Sequence, residues 1–209
     1  MNKEYNPLNA VMKSFTLMWV LTAVGMYIGT LVSPALATIA SVFAIILLVV
    51  AIFVRSYKVS KWIAYLVPFL SGIMLVWTTQ FYIEALGKNL VFLIFVGTVA
   101  TFILLGVLGS ALSKNLEGMG KYLMAVLLVI IVISLVVFFV PVSNMVHLVI
   151  AAVTILLFVL YTVYDFNQIR HNPPTIEEVP MVALNLYLDF KNLFLAVLRI
   201  VLAIKEELK

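Results

Sequence analysis

The sequence predicts an all-α polytopic membrane protein with seven transmembrane helices and a polar seventh helix at its centre. Three observations carry the fold class. Of the 209 residues, 65% are hydrophobic and 11% charged, with a mean hydropathy of +1.22; a soluble domain of this length cannot hide so much apolar surface. Apolar runs recur at about 20 residues each, the length that carries a helix across a bilayer. The basic residues sit mainly at the ends of those runs, where they set topology. The net charge of +4 is therefore no sign of a nucleic-acid partner. The chain contains no cysteine, which excludes disulfides, thiolate metal sites and cysteine nucleophiles. Seven spans joined by short loops fill residues 1–209 as one transmembrane domain and leave no room for a soluble one.

In order, the apolar segments fall at 14–33, 35–54, 62–83, 90–112, 122–140, 146–170 and 180–203. The first is expected to be a true span rather than a signal peptide. Ala35-Leu36-Ala37 imitates a cleavage site, but Phe15 to Val32 exceeds a signal's apolar region of about 7–15 residues, and further spans follow. Pro34 marks the turn to the second segment. The stretch from Arg55 to Lys61 separates the second from the third. Glu84–Asn89, Ser113–Lys121 and Pro141–Asn144 are the next polar breaks. Asn172-Pro173-Pro174 ends the sixth segment, since proline lacks the N–H and restrains its predecessor. Pro180 suits the first turn of the seventh. Gly25 and Gly29 in the first segment, and Gly106, Gly109, Ser110 and Ser113 in the fourth, are small-residue strips that let helix backbones approach. Pro68 is expected to kink the third helix.

With the N-terminus inside, the cytoplasmic ends hold Lys3, Lys13, Arg55, Lys58, Lys61, Lys114, Lys121 and Arg170, and the outer ends hold Lys88, Lys205 and Lys209. Eight against three fits an integral protein of a plasma membrane with its N-terminus cytoplasmic and its C-terminus outside; six spans with a re-entrant seventh segment, which would bring the C-terminus inside, fit the charge count less well and stay open.

The functional signal lies in the last two segments. Asp165 and Asp189 are the two carboxylates well inside apolar segments. Such a group is expensive in hydrocarbon unless it pairs, takes a proton, binds a cation or lines water. Asp165 comes about five residues before its helix ends and Asp189 about nine after the next begins, so their depths differ by roughly one turn. Antiparallel neighbours could bring them together. Two close carboxylates resist double ionisation and share a proton, which makes the pair a pH sensor. Protonated, the carboxyls hydrogen-bond; deprotonated, they push their helices apart or draw in a cation. In the seventh segment Asn185, Asp189, Asn192 and Arg199 fall within a sector of about 80°. This stripe is expected to face the bundle or a wet cavity rather than lipid. Tyr161 and Gln168 share a face with Asp165. These oxygens suit a transient calcium ion at Asp165 and Asp189 better than a resident one, which wants about six to eight ligands. The alternative is that each aspartate bonds a neighbouring Tyr or Asn, or pairs with Arg55, and holds the bundle together. His147 and His171 read as ordinary residues of segment ends.

Two spaced motifs carry a family resemblance. Tyr164-Asp165-Phe166-Asn167-Gln168-Ile169, a polar linker, and Ala183-Leu184-Asn185-Leu186-Tyr187-Leu188-Asp189-Phe190 followed by Asn192-Leu193-Phe194 and Leu198-Arg199 resemble the C-terminal signature of the Bax inhibitor-1 family. The likeness is greatest to its small bacterial calcium-leak members. It covers about the last fifty residues in detail, with Ser71-Gly72-Ile73 in looser agreement. The resemblance implies a seven-helix bundle with the last helix central, and a pH-sensitive calcium leak gated by Asp165 and Asp189. It also implies that an arginine at the end of the second helix, here Arg55, latches onto the first aspartate. The implied ligands are calcium and protons, with no cofactor and no enzymatic activity. Two features depart from the family pattern: the second segment has no acidic residue, and Lys191 stands where relatives carry an apolar one.

Other chemistries fit less well. An intramembrane aspartyl protease sets two carboxyls around a water, but its second aspartate follows Gly-x-Gly, whereas Asp189 follows Leu-Tyr-Leu. A retinal protein would need a counter-ion facing its lysine, and Asp189 and Lys191 are two residues apart, facing different ways. A proton-coupled cation exchanger using the same pair, or a non-transporting membrane regulator, stays open.

Overall fold

Asn6, Pro7 and Pro34 open the first two helices as their chemistry requires. The Asn6 side chain accepts the Asn9 N–H at 3.0 Å and Pro7 takes the first turn of α1 (Pro7–Gly29), where a missing N–H costs nothing. Pro34 does the same for α2 (Pro34–Phe53). The structure is a computed structural model, and it describes residues 5–53, 56–140 and 142–208. The remaining helices are α3 (Tyr57–Leu86), α4 (Lys88–Ala111), α5 (Gly120–Phe139), α6 (Asn144–His171) and α7 (Val179–Glu207), with one 3-10 turn at Glu117–Met119. Among the described residues there is no strand.

The helices mostly outrun the apolar segments. Hydropathy marks where hydrocarbon lies, whereas backbone hydrogen bonding continues through polar residues at the ends. The break expected over Glu84–Asn89 shrinks to Gly87, whose φ of 92° is a conformation that side chains disfavour. Among the described residues, six helices are long and apolar enough to cross a membrane. The seventh is not in that set.

The contacts divide the chain into two compact units, residues 1–83 with 173–187, and residues 84–172 with 188–209. In the first, α1 and α3 touch backbone to backbone: a Cβ on Gly25 would overlap the Phe69 carbonyl, and one on Gly72 the Thr22 carbonyl. The glycine pair of α1 is thus a helix contact. Around it Trp77 Nε1 donates to Gly29 O at 3.1 Å. Thr22 Oγ1 lies 2.9 Å from Met18 O and 2.9 Å from the Tyr187 hydroxyl, which also bonds Ser71. At the unit's other end Tyr5 donates to Pro174 O at 2.7 Å.

In the second unit α4 lies against α6. The Phe166 ring sits where a Cβ on Gly106 would come within 3.0 Å of it, and Gly109 faces the Val163 backbone. Aromatic edges extend the contact, with Phe102 5.7 Å from Phe166 and 5.4 Å from Phe190 of α7. Leu123 and Ile130 of α5 pack on Leu157 of α6, with Tyr161 and Tyr164 against them. The outer side chains, such as Leu128, Val132 and Val136 of α5, are exposed and apolar, as lipid-facing residues must be.

Candidate functional site

The packing of the second unit places α6 and the C-terminal part of α7 so that Asp165 and Asp189 meet. Both side chains are buried, at 8% and 4% exposure, and each lies within electrostatic range of the other. A carboxylate only accepts, so a bond between two carboxyls needs a proton on one of them. One oxygen of each, Oδ2, is buried without a hydrogen-bond partner, and so is the Tyr161 hydroxyl. Tyr161 stacks on Phe158, ring centroids 6.0 Å apart, and lies within electrostatic range of both aspartates. Three unpaired oxygens therefore share one buried neighbourhood. Such a group can hold a proton, or, once deprotonated, offer a cation two carboxylates and a phenol oxygen.

The other residues selected from sequence are distributed differently. Gln168 serves the end of its helix: its amide donates to Asn115 Oδ1 at 3.1 Å and accepts from Asn172 at 2.8 Å. Of the α7 stripe only Asp189 is buried; Asn192 is half-buried, and Asn185 and Arg199 are exposed. Within the bundle, then, the stripe is enclosed only at Asp189. At 100° per residue, the enclosed sector of α7 carries residues such as Ala183, Leu186, Phe190 and Leu193, and Asp189 lies at its margin. Lys191 is half-buried and partnered. Arg55 lies outside the described residues.

Sequence reasoning missed a polar joint at the C-terminal end of α6. Asn167 is fully buried. Its Oδ1 accepts Leu116 N–H at 2.9 Å, and its Nδ2 faces Lys114 O at 3.1 Å and Gly109 O at 3.3 Å. Arg170 donates to Ser110 O. The two ring nitrogens of His171 face Asn167 O and Ser113 O at 3.2 and 3.0 Å, so this histidine ties two elements together and is not a plain end residue. The carbonyls gripped are those left open where α4 ends. The signal available in sequence was Asn167, Arg170 and His171 at i, i+3 and i+4, which share a helix face.

A family model described as "Inhibitor of apoptosis-promoting Bax1" matches residues 6–207. Similar proteins include an uncharacterized protein of Campylobacter jejuni, 42% identical over 104 residues, which are 49% of this chain and 43% of that protein. An uncharacterized protein of Helicobacter pylori is 35% identical over 133 residues, 63% of this chain and 56% of that one. An uncharacterized membrane protein of Streptococcus pyogenes is 32% identical over 129 residues, 59% and 56% of the two chains. The chain spans about half the length of the curated relatives it matches. Several apolar helices of spanning length and a membrane-protein relative make this an integral membrane protein, and the match across residues 6–207 makes it a member of the Bax inhibitor-1 family.

Proposed function

We propose that this protein is a proton-regulated calcium leak of the bacterial plasma membrane, gated by Asp165 and Asp189. The observation that carries the reading is the burial of these two carboxyls within electrostatic range of each other, Oδ2 of each lacking a hydrogen-bond partner. An acid pair kept inside an apolar bundle costs stability unless it is used. In the closed state a shared proton ties α6 to α7. Loss of that proton leaves two like charges in contact; they separate, and the site accepts a divalent cation. Two carboxylates and Tyr161 offer fewer oxygens than a resident calcium takes, so the ion passes through rather than stays. Conductance therefore rises with pH.

In this reading α7 crosses the bilayer as a seventh span, with the N-terminus cytoplasmic and the C-terminus outside, and the polar edge of Asn185, Asn192 and Arg199 meets water along the ion path. Arg55 acts as the latch that its family implies, so Arg55→Ala raises the leak. The partners are lipid, calcium and protons, and no bond is made or broken in a substrate.

The test is calcium flux into proteoliposomes over a pH series, for wild type, Asp165→Asn and Asp189→Asn. Either substitution should abolish the pH dependence. Unchanged flux in both variants would sink the gate. Flux that requires and dissipates an imposed proton gradient would replace the leak with a proton-coupled exchanger. Folded protein without flux at any pH would leave a non-transporting regulator.

A further inference from the structure

We propose that Asn167 is a positioning residue: it fixes the rotation of α6 about its axis and thereby keeps Asp165 turned toward Asp189. This rests on the reading of that pair as the gate. Asn167 follows Asp165 by two residues, about 200° around the helix. When one side chain faces the α4–α5 connection, the other is turned away from it, toward α7. Asn167 is fully buried and is held from both ends of its amide, by Leu116 N–H on the oxygen and by the Lys114, Gly109 and Leu112 carbonyls around the nitrogen. Its neighbours in the joint, Arg170 and His171, make their bonds to the connection in exposed positions, where water competes.

The apolar contacts of α6 do not set rotation as sharply. Phe166 lies against Gly106 and Phe102, but lipid tails are as apolar as those side chains, so such packing is weakly directional in a bilayer. Hydrogen bonds in a low-dielectric site are directional and costly to break. The pair alone does little to fix the rotation of α6, since Oδ2 of each carboxyl is buried without a hydrogen-bond partner. The titratable groups around it are Tyr161 and Tyr164 of α6, with Glu117 of the 3-10 turn acting on Tyr164.

The chain has no cysteine, so a single engineered pair reads the geometry cleanly. Asp165→Cys with Asp189→Cys is oxidised in the full-length protein in nanodiscs, using only the monodisperse fraction. The backgrounds are Asn167, Asn167→Leu and, in case that variant does not fold, Asn167→Ser. Gly97→Ala, which has open space around it, is the control. Cross-linking should be unchanged by Gly97→Ala and slowed about fivefold or more by either Asn167 substitution. In protein with both aspartates intact, Asn167→Ser should move the flux midpoint to lower pH, by about half a unit or more, because a loosened pair holds its closed state less well. Equal cross-linking in all backgrounds with an unmoved midpoint would overturn the proposal. Absence of cross-linking even with Asn167 present would remove both the pair and its positioning residue. Cross-linking that depends on Asn167, in a protein whose flux ignores pH, would uphold the positioning role while rejecting the gate.

Discussion

Replacing Gly109 with alanine adds one methyl at the closest approach of α4 to α6. The new Cβ would fall inside contact distance of the Val163 carbonyl oxygen and within 3.1 Å of both Val163 C and Phe166 Cβ. Carbon atoms pack best at about 3.5–4.0 Å, so the helices must part by roughly an ångström. The nearest obstacle is helix backbone, which cannot swing aside as a long side chain would. Overpacking of this kind costs about 2 kcal/mol, a factor of roughly thirty in the folding equilibrium. The same shift stretches the bond from Asn167 Nδ2 to Gly109 O, now 3.3 Å. Gly97, in the same helix, has nothing within 4 Å of its would-be Cβ. Gly97→Ala should therefore stay within about 1 kcal/mol of wild type. Reversible unfolding in mixed micelles compares the two variants directly. If Gly109→Ala proves as stable as Gly97→Ala, the close packing of α4 on α6 is refuted.

In the first unit, Tyr187→Phe removes the hydroxyl that bonds Thr22 and Ser71 and should cost about 1 kcal/mol in the same unfolding assay, whereas Tyr122→Phe, at an exposed position, should cost nothing measurable. Glu178 accepts the Thr175 N–H at 2.8 Å and the Thr175 hydroxyl at 2.9 Å, as in a capping box. These bonds hold its carboxyl below the usual glutamate range. A depressed value means the cap is complete at neutral pH and is lost only as the pH falls through the group's lowered titration range. The protection factor of the Thr175 amide, its exchange rate relative to the intrinsic rate at the same pH, should be high in wild type at neutral pH, lower in acid, and already low at neutral pH in Glu178→Ala; equal protection in all three would dismiss the cap.

What could be read from sequence followed the cost of misplacing each group. An aspartate in hydrocarbon is so expensive that Asp165 and Asp189 announced themselves, and their depths along two antiparallel helices were enough to expect contact. The glycines of α1 and α4 likewise announced close backbones, since nothing larger fits beside Phe69 or Val163. Helix ends were less legible, because hydropathy stops at the headgroups while the backbone keeps coiling, as at Tyr57 and Glu207. The stripe on α7 was legible only as a stripe, because helical spacing gives the relative directions of side chains but not which direction is enclosed. Asn167 was hidden for another reason: next to Asp165 and Gln168 it looked like one more polar residue, and its partners are backbone groups more than fifty positions away, whose identity no side-chain pattern encodes.

The central claim is that Asp165 and Asp189 share one proton and that its loss opens the path. Infrared titration of the protein in lipid tests it most directly. The account predicts a protonated-carboxyl band that vanishes as the pH rises, with the same midpoint at which calcium flux increases, and that is altered by Asp165→Asn and by Asp189→Asn alike. A band that is indifferent to both substitutions, or one whose midpoint is unrelated to that of the flux, would contradict it.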